Sequence, residues 1–124
     1  MKPKPKYKLV CFDLDGTIID KTSSVWHTIH EKLGTDKEAR RKAIEDFHAG
    51  RITYQQWADG DMRAWKKVGA NKEKILEAIQ HLRLMTGALE TIQELKRKGL
   101  KLTIISGSID LVLEKVFPNY KEFF

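Results

Sequence analysis

With 124 residues, 41% of them hydrophobic and 32% charged, the chain has the size and composition of one globular domain. Its net charge of +6 is weak evidence for a nucleic-acid partner, because four lysines lie in the first eight residues and the other basic residues are mixed with acidic ones. The single cysteine, Cys11, excludes an internal disulfide, and the apolar runs are too short for a membrane span. We therefore expect a cytoplasmic protein without nucleic-acid or membrane partners.

The first predicted element is a strand over residues 7–13, where apolar strand formers lead into Asp13. Cys11 lies within this strand and is expected to be a small core residue. The next segment, 22–85, has helical periodicity throughout and carries no strand signal. We expect this segment to be entirely helical.

Four helices are predicted within 22–85 from their start signals. Capping boxes of the form S/T-x-x-E/Q occur at 35–38 and 53–56, and Asn71 is a predicted N-cap. Three tryptophans are expected to form a small core for these helices: Trp26, Trp57 and Trp65. The alternative is a set of rings that stacks on a substrate, or a core from which one ring reaches the pocket.

The last third of the chain returns to alternating helix and strand. A helix with an apolar stripe ends at Gly99, a strand follows over 100–105, and a further helix begins near Ile109 after the turn Ser106-Gly107-Ser108. Two strands joined by a helical connection favour a parallel pair with a right-handed crossover. Because the carboxyl ends of parallel strands meet at one edge of a sheet, the residues that follow the two strands are expected to be neighbours.

The sequence DLDGT at 13–17 places two carboxylates, Asp13 and Asp15, at the end of an apolar strand. Such a pair can hold a divalent cation, or it can divide nucleophilic and acid–base roles. Gly16 lets the backbone approach an anion, and Ser106 with the N–H groups after it can bind a phosphoryl oxygen. An Asp-Gly turn and a capping serine are the alternative interpretation, but both motifs at two strand ends favour a functional site.

These motifs resemble those of the haloacid dehalogenase-like (HAD) hydrolase superfamily. DLDGT at 13–17 matches its D-x-D-G-T motif, and LTIISGS at 102–108 resembles its second motif, an apolar strand that ends in Ser or Thr. The helical insert lies where phosphoserine phosphatase-like members carry a cap. The resemblance implies an α/β fold, with a truncated Rossmann-type parallel-sheet core at 1–21 and 86–124 and a helical cap at 22–85.

The resemblance also implies a role for each site residue. Asp13 would be the nucleophile, Asp15 the general acid and then the general base, and Mg²⁺ would bind the Asp13 carboxylate and the backbone carbonyl of Asp15. Ser106 would hold a phosphoryl oxygen, together with the backbone N–H groups of Leu14 and Gly107. An aspartate at position 15 implies a phosphatase or a phosphomutase that acts on a small phosphorylated metabolite, phosphatases being the more common.

The cap departs from the phosphoserine phosphatases at two positions. Thr22 occupies the position at which those enzymes have a glutamate. Asp61 occupies the position expected for their substrate-binding arginine, and Arg63 lies two residues further along the chain. The amino-acid-recognition charges are therefore missing or rearranged, so phosphoserine is not expected to be the preferred substrate.

Only sixteen residues follow Ser108, and they contain neither the family's third motif, which supplies a lysine, nor its fourth, an acidic pair. We expect either a longer natural protein, or an assembly in which a homo-oligomer or a complementing C-terminal half supplies the missing strands. Feeble or no activity is expected from the chain alone.

Three other interpretations fit parts of the sequence. A non-catalytic product that acts through a partner chain would keep the same motifs, whereas a nucleic-acid-binding module is disfavoured because no binding motif is present. His27 and His30 lie one helical turn apart and could be metal ligands, but no other ligand spacing supports this, so an ordinary helix face is expected.

Overall fold

The computed structural model describes residues 3–124. They form two compact units: a core unit of the described residues up to Val25 with Ile79–Phe124, and a cap unit of Trp26–Ala78. The residue range predicted for the insert, 22–85, includes all residues of the cap unit. In chain order the elements are β1 (Leu9–Phe12), β2 (Ile19–Asp20), α1 (Val25–Leu33), α2 (Lys37–His48), α3 (Tyr54–Lys67), α4 (Lys72–Ile79), β3 (Arg83–Leu84), α5 (Ala88–Arg97), β4 (Lys101–Ile104), α6 (Asp110–Val116) and a 3₁₀ turn (Tyr120–Glu122).

The core unit is organised by a parallel pair of strands, β1 and β4, which confirms the predicted pairing. Phe12 lies opposite Ile104, and the N–H of Ile105 donates to the Phe12 carbonyl at 2.9 Å, so the pairing continues past the end of β4. Helix α5 precedes β4 and ends before Gly99, whose φ of 81° favours glycine. Both strands therefore end at the same edge of the sheet.

A second, two-stranded sheet was not expected. The prediction that no strand lies within 22–85 is wrong at its end, because β3 pairs antiparallel with β2 through Ile19 opposite Leu84. The N–H of Met85 extends this contact by donating to the Ile18 carbonyl at 2.7 Å. Strands of two residues are too short to show the alternation of apolar and polar residues from which strands are predicted.

The cap unit has an aromatic core, as predicted. Trp26 and Trp65 stack with ring centroids 5.0 Å apart, and Trp57 stacks on Phe47 at 4.6 Å. Trp65 is buried, whereas Trp26 and Trp57 are partly covered. Large rings supply much apolar area from few residues, which a small unit needs.

Two of the three predicted caps are confirmed and one is wrong. Thr53 forms a full capping box with Gln56, and Asn71 accepts a hydrogen bond from the Lys74 N–H at 2.9 Å. The second helix instead takes Asp36 as its N-cap, because Asp36 accepts from the Ala39 N–H at 3.0 Å. The hydroxyl of Thr35 is used elsewhere, in a buried contact with a histidine described below.

Cys11 is exposed, so its predicted place in the core is wrong. It lies on one face of the β1–β4 pair with Leu9, which is 52% exposed, and with Ile105, which is 69% exposed. We call these three residues the outer sheet face. No helix among the described residues covers their side chains as helices cover both faces of most parallel sheets.

Candidate active site

The structure brings the two predicted motifs to one edge of the β1–β4 sheet. Asp13 directly follows β1, and Ser106 lies two residues after β4. Since β1 and β4 are parallel neighbours with Phe12 opposite Ile104, the turns at 13–17 and 105–108 leave adjacent strand ends. Carboxyl ends of parallel strands are where α/β proteins bind ligands.

The turn after β1 is tight and is held by backbone hydrogen bonds and by buried side chains. Its carbonyl at Leu14 accepts hydrogen bonds from three successive N–H groups, those of Thr17, Ile18 and Ile19. Gly16 has a φ of 74°, a conformation that is strained for other residues, and its N–H donates to the Ile19 carbonyl at 2.9 Å. Because Leu14, Ile18 and Ile19 are buried, the turn is fixed to the core.

The Asp13 carboxylate is exposed and turns back on its own chain. Its Oδ1 accepts a hydrogen bond from the Leu14 N–H at 2.8 Å. The Leu14 amide was predicted to bind a phosphoryl oxygen. That amide becomes available only when the Asp13 carboxylate turns away from it.

The two oxygens of the Asp15 carboxylate have different surroundings. Oδ2 accepts a hydrogen bond from the backbone N–H of Val25 at 2.8 Å, whereas Oδ1 is buried without a hydrogen-bond partner among the described residues. Sequence reasoning missed Val25, because an apolar residue ten positions away offers only its backbone and no side-chain signal. A buried carboxylate oxygen without a donor is costly, and such atoms mark places where a ligand or cation is accommodated.

The Ser106-Gly107 turn presents polar groups at the second strand end. Ser106 Oγ accepts a hydrogen bond from the Ser108 N–H at 3.0 Å, which leaves the hydroxyl hydrogen of Ser106 available to donate. Both Ser106 and Gly107 are exposed. The exposed hydroxyl of Ser106 is therefore placed to donate to an anion.

No group of three or more His, Cys, Asp or Glu side chains that could hold a metal ion occurs in the described part of the chain. The donors present at the end of β1 are the exposed Asp13 carboxylate and the backbone carbonyl of Asp15, which are oxygen ligands of the kind that Mg²⁺ prefers. His27 pairs with Glu31 at 3.0 Å on the surface, in agreement with the predicted helix face.

His30 is not on an ordinary helix face, since it lies in a buried polar network inside the cap unit. Its Nδ1 is 2.6 Å from Thr35 Oγ1, and its Nε2 is 3.1 Å from Asp61 Oδ1. Arg40 Nη1 lies 3.7 Å from Asp61 Oδ2. Burial lowers the pKa of the Arg40 guanidinium, while the Asp61 and Glu31 carboxylates act in the opposite direction.

The network gives Asp61 a structural partner on each side. The resemblance implies a substrate-binding arginine at the position that Asp61 occupies. In the structure, the Asp61 carboxylate faces His30 and Arg40 within the cap unit. These contacts join residues of α1, α2 and α3 that are 21 and 31 positions apart, so no local pattern could have indicated them.

The family model for haloacid dehalogenase-like hydrolases matches residues 7–123. The chain belongs to this family. The match covers both predicted motifs and the helical insert between them, which confirms the resemblance found in the sequence.

Two phosphoserine phosphatases are similar to this HAD hydrolase chain. The enzyme of Methanocaldococcus jannaschii is 28% identical over 111 residues, which are 90% of this chain and 50% of the relative. That of Campylobacter jejuni subsp. doylei is 33% identical over 123 residues, covering 91% of this chain and 56% of the relative. The chain thus spans about half the length of these curated relatives.

A solved structure shows the same fold. The phosphoserine phosphatase structure described as a phospho-aspartyl intermediate analogue is 26% identical, has a TM-score of 0.61, and is matched over 96% of this chain and 53% of its own. The α/β fold class, with a truncated Rossmann-type core and a helical insert, is therefore confirmed.

Proposed function

We propose that this chain is part of a Mg²⁺-dependent phosphatase that hydrolyses a small phosphate monoester through an aspartyl-phosphate intermediate. The observation that carries the proposal is the placement of Asp13 and Asp15 after β1, beside the Ser106-Gly107 turn after β4. Two carboxylates with different surroundings and a neighbouring set of anion donors are what phosphoryl transfer through a carboxylate needs.

In the first step, a carboxylate oxygen of Asp13 attacks phosphorus and the bond from phosphorus to the ester oxygen breaks. Asp15 gives its proton to the leaving oxygen, so an alcohol departs instead of an alkoxide. In the second step, Asp15 takes a proton from water, the water oxygen attacks phosphorus, and phosphate leaves with the Asp13 carboxylate restored. The similar phosphoserine phosphatase structure contains an analogue of a phospho-aspartyl intermediate, which supports this route for that enzyme.

The remaining site groups would bind the phosphoryl oxygens. The Ser106 hydroxyl has a hydrogen to donate, and the N–H groups of Gly107 and Leu14 would add two donors once Asp13 releases the Leu14 amide. The Asp13 carboxylate and the Asp15 backbone carbonyl would hold Mg²⁺, which neutralises negative charge between the nucleophile and the phosphoryl group.

The substrate is proposed to be a small phosphorylated metabolite, with phosphoserine not the preferred one. The relatives are named phosphoserine phosphatases, but Thr22 is uncharged and Asp61 is engaged by His30 and Arg40. A phosphatase is favoured over a phosphomutase because both curated relatives are phosphatases.

The second candidate is a non-catalytic chain that needs a partner to complete the site. It is favoured by two observations: the relatives are about twice as long, and β1 has one strand neighbour among the described residues. The partner would be a second copy of this chain or a polypeptide equivalent to the relatives' second half, seated at the free edge of β1.

Hydrolysis of p-nitrophenyl phosphate by residues 1–124, with Mg²⁺ or with EDTA, tests the proposal, while light scattering gives the mass of the active species. Feeble, Mg²⁺-dependent turnover that rises on association supports an incomplete phosphatase. A monomer that turns over at roughly 1–10³ per second would contradict the need for a partner. If every species is inactive, the non-catalytic candidate is favoured.

A further inference from the structure

The Asp15 carboxyl group is held by one hydrogen bond. Val25 N–H donates to Oδ2 at 2.8 Å, and no other described group donates to either oxygen. A carboxyl group with one partner keeps its orientation only while that partner stays in place.

Val25 supplies a rigid donor. It is the first residue of α1, where the N–H groups have no partner within the helix and point outward from its end. Its side chain is fully buried, at 0% exposure, so the position of its amide is fixed by packing as well as by the helical backbone. The N-terminus of a helix also favours a negatively charged partner.

We propose that Val25 is a positioning residue for Asp15, with its backbone N–H holding the carboxyl group in the orientation from which it exchanges a proton with the substrate. This rests on the proposed role of Asp15, although the orientation itself is a property of the folded chain. Val25 lies outside the DLDGT motif and contributes no side-chain chemistry.

A proline substitution isolates this N–H. Val25→Pro removes the donor, and proline is well tolerated at the first position of a helix. Val25→Ala is the matched control, because it shortens the same buried side chain and keeps the N–H. If Val25→Pro does not fold, replacing the Val25 amide by an ester through chemical ligation removes the N–H and keeps the isopropyl group.

The first measurement is the side-chain rotamer of Asp15, from three-bond NMR couplings to its β-protons. We expect one χ1 rotamer in the wild-type chain and in Val25→Ala, and averaging among rotamers in Val25→Pro or the ester variant. A single unchanged rotamer without the N–H would overturn the proposal. This measurement needs no catalytic activity.

The second measurement compares two leaving groups in the species that turns over phosphate esters. An alkyl oxygen needs a proton to depart, whereas p-nitrophenolate departs without one. Val25→Pro should lower kcat by about 10-fold or more for an alkyl phosphate and by less than about 3-fold for p-nitrophenyl phosphate, with KM little changed. Equal losses for both esters would show a merely structural role. If the wild type hydrolyses neither ester, the proposed function fails. The NMR measurement of the Asp15 rotamer then tests by itself whether the Val25 N–H positions the carboxyl group.

Discussion

At the scale of single residues, the candidate site depends on two aspartates that differ in their surroundings. Asp13 is exposed and bonded to the next amide along the chain, whereas Asp15 is held by a distant amide and has one buried oxygen. Such a difference suits two carboxylates that perform different steps.

Asp13→Asn is expected to abolish Mg²⁺-dependent phosphatase activity, because an amide does not attack phosphorus. Asp15→Asn should lower kcat by roughly 10²-fold to 10⁴-fold, the range typical of lost acid–base catalysis. Asp20→Asn is the control, since Asp20 contacts the neighbouring Lys21 and lies outside the motif. Substantial Mg²⁺-dependent turnover by Asp13→Asn would contradict the mechanism.

The proposed substrate preference also depends on single residues. Phosphoserine carries an ammonium and a carboxylate, and the chain offers neither a charged side chain at Thr22 nor a carboxylate without partners at Asp61. A screen of phosphate esters on the active species should therefore rank phosphoserine below sugar or nucleotide phosphates. A tenfold preference for phosphoserine in kcat/KM would refute this expectation.

At the scale of elements, the cap helices are joined by aromatic stacking and by one buried ionic network. His30 of α1, Arg40 of α2 and Asp61 of α3 converge within the cap unit. Removing one member of a buried ion pair leaves its partner uncompensated, which costs more than the loss of the pair as a whole.

Asp61→Asn is therefore expected to lower the free energy of unfolding by about 3 kcal/mol, because it keeps the shape of the side chain but removes the negative charge that lies beside Arg40 within the cap unit. Asp59→Asn is the matched control on the same helix, since Asp59 is exposed and its carboxylate accepts a hydrogen bond from the Gln55 side chain instead of a buried ion pair. Urea unfolding of both variants measures the difference. Equal stabilities would show that the network does not stabilise the cap.

The capping box of α3 offers a second test at this scale. Thr53 Oγ1 accepts from the Gln56 N–H at 3.1 Å. Thr53→Ala should lower the free energy of unfolding by about 1 kcal/mol, the typical value for a lost N-cap. Thr53→Ser keeps the hydroxyl and should lower it by less. A thermal scan that shows the same melting temperature for the wild type and both variants would argue against the cap.

At the scale of the whole molecule, the chain leaves part of its sheet uncovered. The outer sheet face, Leu9 with Cys11 and Ile105, is apolar and exposed, and the outer edge of β1 has no strand partner among the described residues. An exposed apolar face beside an unpaired edge promotes association with another chain.

Leu9→Lys should reduce self-association of the isolated chain and weaken any activity that depends on association. Met62→Lys is the control, because Met62 is 53% exposed against 52% for Leu9 but lies in the cap unit. Light scattering over a range of concentrations, with the phosphatase assay alongside, measures both effects. If Met62→Lys has the same effect as Leu9→Lys, the association does not use the outer sheet face.

Much of the fold was predictable, because its signals are local. The β1 strand, its DLDGT turn and the caps at Thr53 and Asn71 each depend on a few consecutive residues whose backbone preferences agree. One prediction failed because a residue had two choices of partner. Thr35 was expected to cap a helix, but it bonds with His30 while Asp36 caps α2.

The sequence by itself determined the family, the order of the helices and of the two parallel strands, and the two motifs of the candidate site, since these reside in short runs of residue types. Only the tertiary structure decided that Val25 holds Asp15, that His30 and Asp61 meet, and that Cys11 is exposed. The physical reason is that such contacts depend on where the folded chain places the atoms. The residue type alone does not specify the distance between a backbone amide and a side chain, or between two residues that are far apart in the sequence.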